Sequence, residues 1–127
     1  MVMTQVKSIR RLVVAGDKRG SKLGYPTANL EFCPEDNLPE GVWATIVNVN
    51  GQDYPSVTFV GAPVSFGGDK KKIEVFIFDY AGDLYDKIVR LDFMHWLRPV
   101  KKFADEKDLI KQITRDCHQA REVLSNK

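Results

Sequence analysis

The stretch Val42-Trp-Ala-Thr-Ile-Val-Asn-Val49, then Asn50-Gly51, then Gln52-Asp-Tyr-Pro-Ser-Val-Thr-Phe-Val60 determines how the rest of the chain is read. β-Branched and aromatic residues fill both arms, as they do in strands. Asn-Gly between them supplies the two successive positive φ angles that a two-residue hairpin turn requires. Val42 to Val49 and Tyr54 to Val60 are therefore predicted to be the two arms of an antiparallel hairpin. The same pattern recurs downstream, with Ile73 to Tyr80, a turn at Ala81-Gly82, and Leu84 to Phe93. In that last segment Val89, Leu91 and Phe93 fall on one face and Arg90 and Asp92 on the other, the signature of a strand with one buried side. Several short strands joined by tight turns point to an antiparallel barrel.

Only the C-terminus carries helical spacing. Leu109, Ile110, Ile113, Cys117, Ala120 and Leu124 recur three and four apart. Asp105 is placed to cap the start, and Arg121 lies near the end, where a cation complements the helix dipole. The helix is expected to lie across one side of the barrel. The chain has 127 residues, 43% of them hydrophobic, which suits one core-forming domain. Its termini, residues 1–7 and 125–127, read as the least ordered parts. A net charge of +2 is too small to imply nucleic acid or a membrane surface. No apolar run reaches the ~20 residues of a membrane span, and Met1 to Arg10 lacks the hydrophobic block of a signal peptide, so a cytoplasmic location is expected. Cys33 and Cys117 have no metal-ligand companions and read as reduced thiols. His95 and His118 lack a partner at metal or triad spacing and read as ordinary surface or core residues.

The chemistry concentrates in Gly16-Asp-Lys-Arg-Gly-Ser-Lys-Leu-Gly-Tyr-Pro-Thr-Ala-Asn29, with three glycines and three cations ahead of a proline. Gly16, Gly20 and Gly24 allow close approach of backbone N–H groups to an anion, and Arg19 and Lys22 neutralise its charge. The spacing fits neither a P-loop nor a dinucleotide-binding fingerprint. A basic surface turn is the alternative reading. Pro26 biases Tyr25 towards an extended conformation, so Thr27 and Asn29 project from one face of a strand, where their oxygens suit a hard cation; at a strand end, simple turn formation is the commoner role of these residue types. In Ile73-Glu-Val-Phe-Ile-Phe78 a lone carboxylate, Glu74, shares a face with Phe76 and Phe78. Desolvation there would raise its pKa towards that of a general base, whereas an edge-strand glutamate would face water. Arg98 and Lys101 flank Pro99 as a second basic cluster, a binding element or a solvated loop.

Four ordered blocks resemble the ATP-dependent riboflavin kinases, including the kinase half of bacterial bifunctional FAD synthetases. They are Gly16 to Asn29, Leu38-Pro-Glu-Gly-Val-Trp-Ala44, Ile73 to Asp79 with Asp83-Leu-Tyr85, and Leu97-Arg-Pro-Val-Lys-Lys-Phe103. The resemblance implies a mainly β fold, a small closed Greek-key-like antiparallel barrel of about six strands with a C-terminal α-helix packed on it. It implies transfer of the γ-phosphate of ATP to the ribityl 5′-hydroxyl of riboflavin, giving FMN and ADP. By the same resemblance Glu74 is the catalytic base, and Gly16, Arg19, Gly20, Lys22, Gly24 and Thr27 bind the nucleotide phosphates. Thr27 and Asn29 hold Mg²⁺, and Arg98 with Lys101 binds the flavin. The expected partners are these small molecules, with no nucleic acid and no membrane, and the expected state is a monomer. The chain departs from the family pattern at Phe76, Asp86 and Val100, where His, Gly and Glu are usual. A weak or inactive flavin- or nucleotide-binding module of the same fold is the rival reading. No adenylyltransferase block lies in these 127 residues, so FAD synthesis is not expected of them.

Overall fold

A computed structural model describes residues 7–14, 27–33, 38–61, 71–80, 82, 84–100 and 105–125, with Thr27 and Glu106 described by their backbone alone. The elements are β1 (Lys7–Val14), β2 (Thr27–Leu30), β3 (Gly41–Val49), β4 (Gln52–Gly61), β5 (Lys72–Ile77), β6 (Ile88–Arg98) and α1 (Glu106–Ser125). The strands close into a barrel in the order β1-β2-β5-β4-β3-β6, every neighbouring pair antiparallel. Closure gives every strand a hydrogen-bonded neighbour on both sides, though β1 meets β2 only through Val13 and Val14.

The β3–β4 hairpin forms as its sequence dictates. Asn50 and Gly51 take φ of 52° and 85°, the paired positive values of the expected turn. Asn48 reinforces it, its Oδ1 accepting from Gly51 N at 3.2 Å and its Nδ2 donating to Asp53 at 2.8 Å.

Alternation along the strands separates two cores. Inside the barrel lie Ile9, Val13, Ala28, Leu30, Trp43, Val47, Val60, Ile73, Val75, Ile77, Val89, Leu91 and Phe93. Trp43 meets Phe93 edge-on at 5.3 Å between centroids and donates its indole N–H to the Pro39 carbonyl. Three hydroxyls also point inward and are fully buried. Thr45 Oγ1 lies 2.6 Å from Ser56 Oγ and 2.8 Å from Thr58 Oγ1, so each polar group in this apolar space has a partner. On the outer face, Val42, Ala44, Val57, Phe76 and Phe78 pack under Leu109, Ile113, Cys117, Ala120 and Leu124 of α1. Asp105 caps that helix, its Oδ1 accepting from Asp108 N at 2.9 Å.

Several boundaries differ from the sequence expectation. β5 stops at Ile77 rather than Tyr80, because Asp79 adopts φ of 59° and cannot continue a strand. β6 starts at Ile88 and runs to Arg98 instead of ending at Phe93; irregular pairing near Val42–Thr45 of β3 absorbs the broken alternation of Met94-His-Trp-Leu97. Arg121 does not serve the helix dipole, since α1 continues through Ser125 and its last turn holds no basic residue. Arg121 instead stacks over the Phe78 ring at 4.4 Å and pairs with Asp79 at 3.4 Å. Lys7 is ordered by pairing opposite Phe93, and Ser125 by donating to the Glu122 carbonyl, so both belong to elements and not to the ragged ends. Asp86, where the family resemblance leads one to expect Gly, has φ of 69°, a conformation Asp tolerates better than most side chains.

Candidate active site

The strand register builds the site. Asn29 on β2 pairs directly with Glu74 on β5, Glu74 with Phe59 on β4, Phe59 with Val42 on β3, and Val42 with Arg98 on β6. Five residues from five strands thus form one row across the outer face of the barrel, the face that α1 partly covers. Paired Cβ atoms in an antiparallel sheet lie about 5 Å apart, which places the Asn29 amide and the Glu74 carboxyl in one patch. Alternation accounts for the orientation: Ile73, Val75 and Ile77 fill the barrel interior, so Glu74 and Phe76 face outward.

Glu74 is not the water-facing edge glutamate of the alternative reading, because β5 is paired on both sides, to β2 and β4. It is half-buried, and its Oε2 is shielded from solvent. Aromatic residues border it. Phe59 is its partner on β4, Phe76 follows two residues later, and their ring centroids are 5.2 Å apart. Phe76, which replaces the usual His, is itself fully buried beneath α1.

Asn29 is only 6% exposed, and its Oδ1 accepts no hydrogen bond from any described residue. A buried amide oxygen without a donor is costly, so a site beside Glu74 that offers it an electropositive partner is favoured. A hard oxygen donor in that position suits Mg²⁺. Thr27, the second expected ligand, pairs by its backbone with Phe76. No cluster of three His, Cys, Asp or Glu residues able to hold a metal occurs among the described residues.

Arg98 lies three strands from Glu74 along the row, at the end of β6 and not in a solvated loop. Its Nε and Nη2 donate to Asp116 Oδ1 and Oδ2 at 2.8 and 2.6 Å, and its Nη1 donates to the Pro99 carbonyl at 2.9 Å. The guanidinium carbon sits 5.9 Å from the centroid of Phe59, so an aromatic ring links the Arg98 end of the row to the Glu74 end. Sequence reasoning missed Asp116 and Phe59. Asp116 had a legible signal, since it falls three residues after Ile113 on the apolar stripe of the helix. Gly16, Arg19, Gly20, Lys22, Gly24 and Lys101, together with the side chain of Thr27, lie outside the described residues.

A closed six-stranded barrel carrying a buried amide beside a carboxylate, with an arginine further along the same row, is a small β-barrel with a built polar site on its helix-covered face. The flavokinase family model, described as riboflavin kinase, matches residues 4–124, and the chain belongs to that family. It is 32% identical over 130 residues to the bifunctional riboflavin kinase/FMN adenylyltransferase of Bacillus subtilis, covering 99% of this chain and 41% of that protein. It thus spans about two fifths of the length of that curated relative. Among solved structures, a Streptococcus pneumoniae chain described as a macrolide-efflux protein superposes with a TM-score of 0.75 at 32% identity, over 90% of this chain and 38% of that one. Riboflavin kinase from Trypanosoma brucei shares the fold, with a TM-score of 0.64 at 22% identity, over 94% of this chain and 80% of that one. No helix among the described residues is long and apolar enough to cross a membrane.

Proposed function

We propose that this chain is a riboflavin kinase, transferring the γ-phosphate of ATP to the ribityl 5′-hydroxyl of riboflavin to give FMN and ADP. The observation that carries the proposal is the register pair Asn29–Glu74 on the outer face, a buried oxygen donor beside a solvent-shielded carboxylate. Glu74 accepts the proton of the attacking hydroxyl, and the apolar border of Phe59 and Phe76 keeps competing water from it. Phosphoryl transfer asks the protein mainly for positioning and charge neutralisation. Gly16, Gly20 and Gly24, with Arg19 and Lys22, carry the phosphate contacts in this reading, on the strength of their sequence and family position. Thr27 and Asn29 would hold Mg²⁺, which when bound would neutralise phosphate charge. Arg98 and Lys101 hold the flavin, leaving the ribityl end towards Glu74. ADP release from MgATP by the purified chain should depend on riboflavin; riboflavin-independent release, or none, would contradict the proposal.

The metal assignment has its own test. Asn29→Ala removes one oxygen from a coordination shell that tolerates poor geometry badly, so the Mg²⁺ concentration for half-maximal activity should rise several-fold and MgADP binding should weaken. Because Asn29 is buried with an unsatisfied oxygen, the variant should lose little thermal stability. An unchanged Mg²⁺ titration would remove Asn29 from the metal site.

A further inference from the structure

Asp116 is an acid on the buried face of α1, 1% exposed, and it accepts three hydrogen bonds: two from Arg98 and one from Gln112 Nε2 at 3.1 Å. The Arg98 side chain is 17% exposed. A guanidinium has five N–H donors in a rigid fork. Asp116 takes the Nε–H and one N–H of Nη2, and the Pro99 carbonyl takes one of Nη1. One N–H on each terminal nitrogen therefore remains, and neither meets an acceptor among the described residues. Those two donors belong to the same planar group, whose orientation the bidentate pair with Asp116 fixes. The pair also cancels the arginine's charge locally, so Arg98 acts through directed N–H groups beside the Phe59 ring more than as a free cation. Such a group favours a flat, neutral, acceptor-rich ring over a polyanion, because a triphosphate gains most from an uncompensated charge.

Taking the riboflavin kinase reading as its basis, we propose that Asp116 is a positioning residue for flavin recognition. It holds Arg98, with Gln112 holding Asp116 in turn, so that the two remaining N–H donors meet the carbonyl-bearing edge of the flavin ring and leave the nucleotide phosphates to other residues. α1 thereby contributes to flavin binding as well as to packing on the barrel.

Titration of flavin fluorescence with the whole chain, in the absence of ATP, separates this role from a structural one. Asp116→Asn should weaken riboflavin binding at least tenfold and raise its KM in parallel, with kcat and the affinity for MgADP within about twofold of the parent. Arg98→Lys, which keeps the charge and loses the fork, should show the same split. Should Asp116→Asn fail to fold, Gln112→Leu decides the matter: it leaves the ion pair in place and loosens only its anchor, and riboflavin binding should fall two- to fivefold with MgADP binding unmoved. Equal losses for flavin and nucleotide, or a lowered melting temperature with unchanged riboflavin affinity, would reduce Asp116 to a staple between helix and barrel and overturn the proposal. A parent chain that binds riboflavin and phosphorylates it while these variants match it overturns this inference alone. A parent that binds no riboflavin overturns the kinase reading and the Asp116 role with it.

Discussion

Glu74→Gln should lower kcat by roughly 10²–10⁴-fold, the usual cost of losing a positioned general base. The amide matches the carboxylate in size and keeps an oxygen beside Asn29, so the register of β2, β5 and β4 has no reason to change. Glu74 belongs to neither of the two packed cores, and the melting temperature should therefore stay within a few degrees of the parent. Riboflavin and MgADP affinities should likewise be close to parental, because the proton acceptor contributes to the transition state and not to ground-state binding. Turnover above about a tenth of the parent value would show that Glu74 is not the base, since a group of that role contributes more than tenfold.

Gly41→Ala should do the opposite, damaging the fold first. Gly41 opens β3 with φ of 144°, a conformation L side chains rarely adopt. A Cβ there would press on the indole Nε1 of Trp96 and lie 2.8 Å from the Arg98 carbonyl oxygen. The carbonyl is backbone in the β3–β6 ladder and cannot swing away, and Trp96 is held by donating to the Glu40 carbonyl at 3.1 Å. Overpacking and backbone strain together cost about 2–4 kcal/mol, enough to lower the melting temperature by roughly 10 °C in a chain of this size. Because the contact lies on Arg98, the residue proposed to hold the flavin, riboflavin affinity should drop as well. A thermal denaturation curve that coincides with that of the parent would contradict the geometry at this position.

What could be read in advance follows the range of the interaction. The Asn50-Gly51 turn and the alternation of Val89, Leu91 and Phe93 are local properties, and both stand in the structure as the residues specify. β1 was illegible because Arg10-Arg11 and Leu12-Val13-Val14 disrupt period two, leaving only Ile9 and Val13 buried. The pairings β2–β5 and β3–β6 join segments far apart in sequence, so composition could not show that Asn29 and Glu74 share a patch. Family resemblance, not periodicity, linked those two residues before the register did. Asp116 escaped notice although a lone acid on an apolar stripe is the same kind of signal that singled out Glu74. Helical periodicity marks the stripe but not the acid's partner, because Arg98 comes from the far end of β6, beyond the regular alternation that stops at Phe93.

The reaction itself is tested most directly by incubating the purified chain with riboflavin, Mg²⁺ and ATP labelled at the γ-phosphate, then separating the flavins. If Glu74 and Asn29 form a phosphotransfer site, label should appear in FMN in step with ADP, with riboflavin as the only other organic substrate, and should be nearly absent with the Glu74→Gln chain. Flavin that binds but stays unlabelled with the parent chain would contradict the account and leave a binding module in its place.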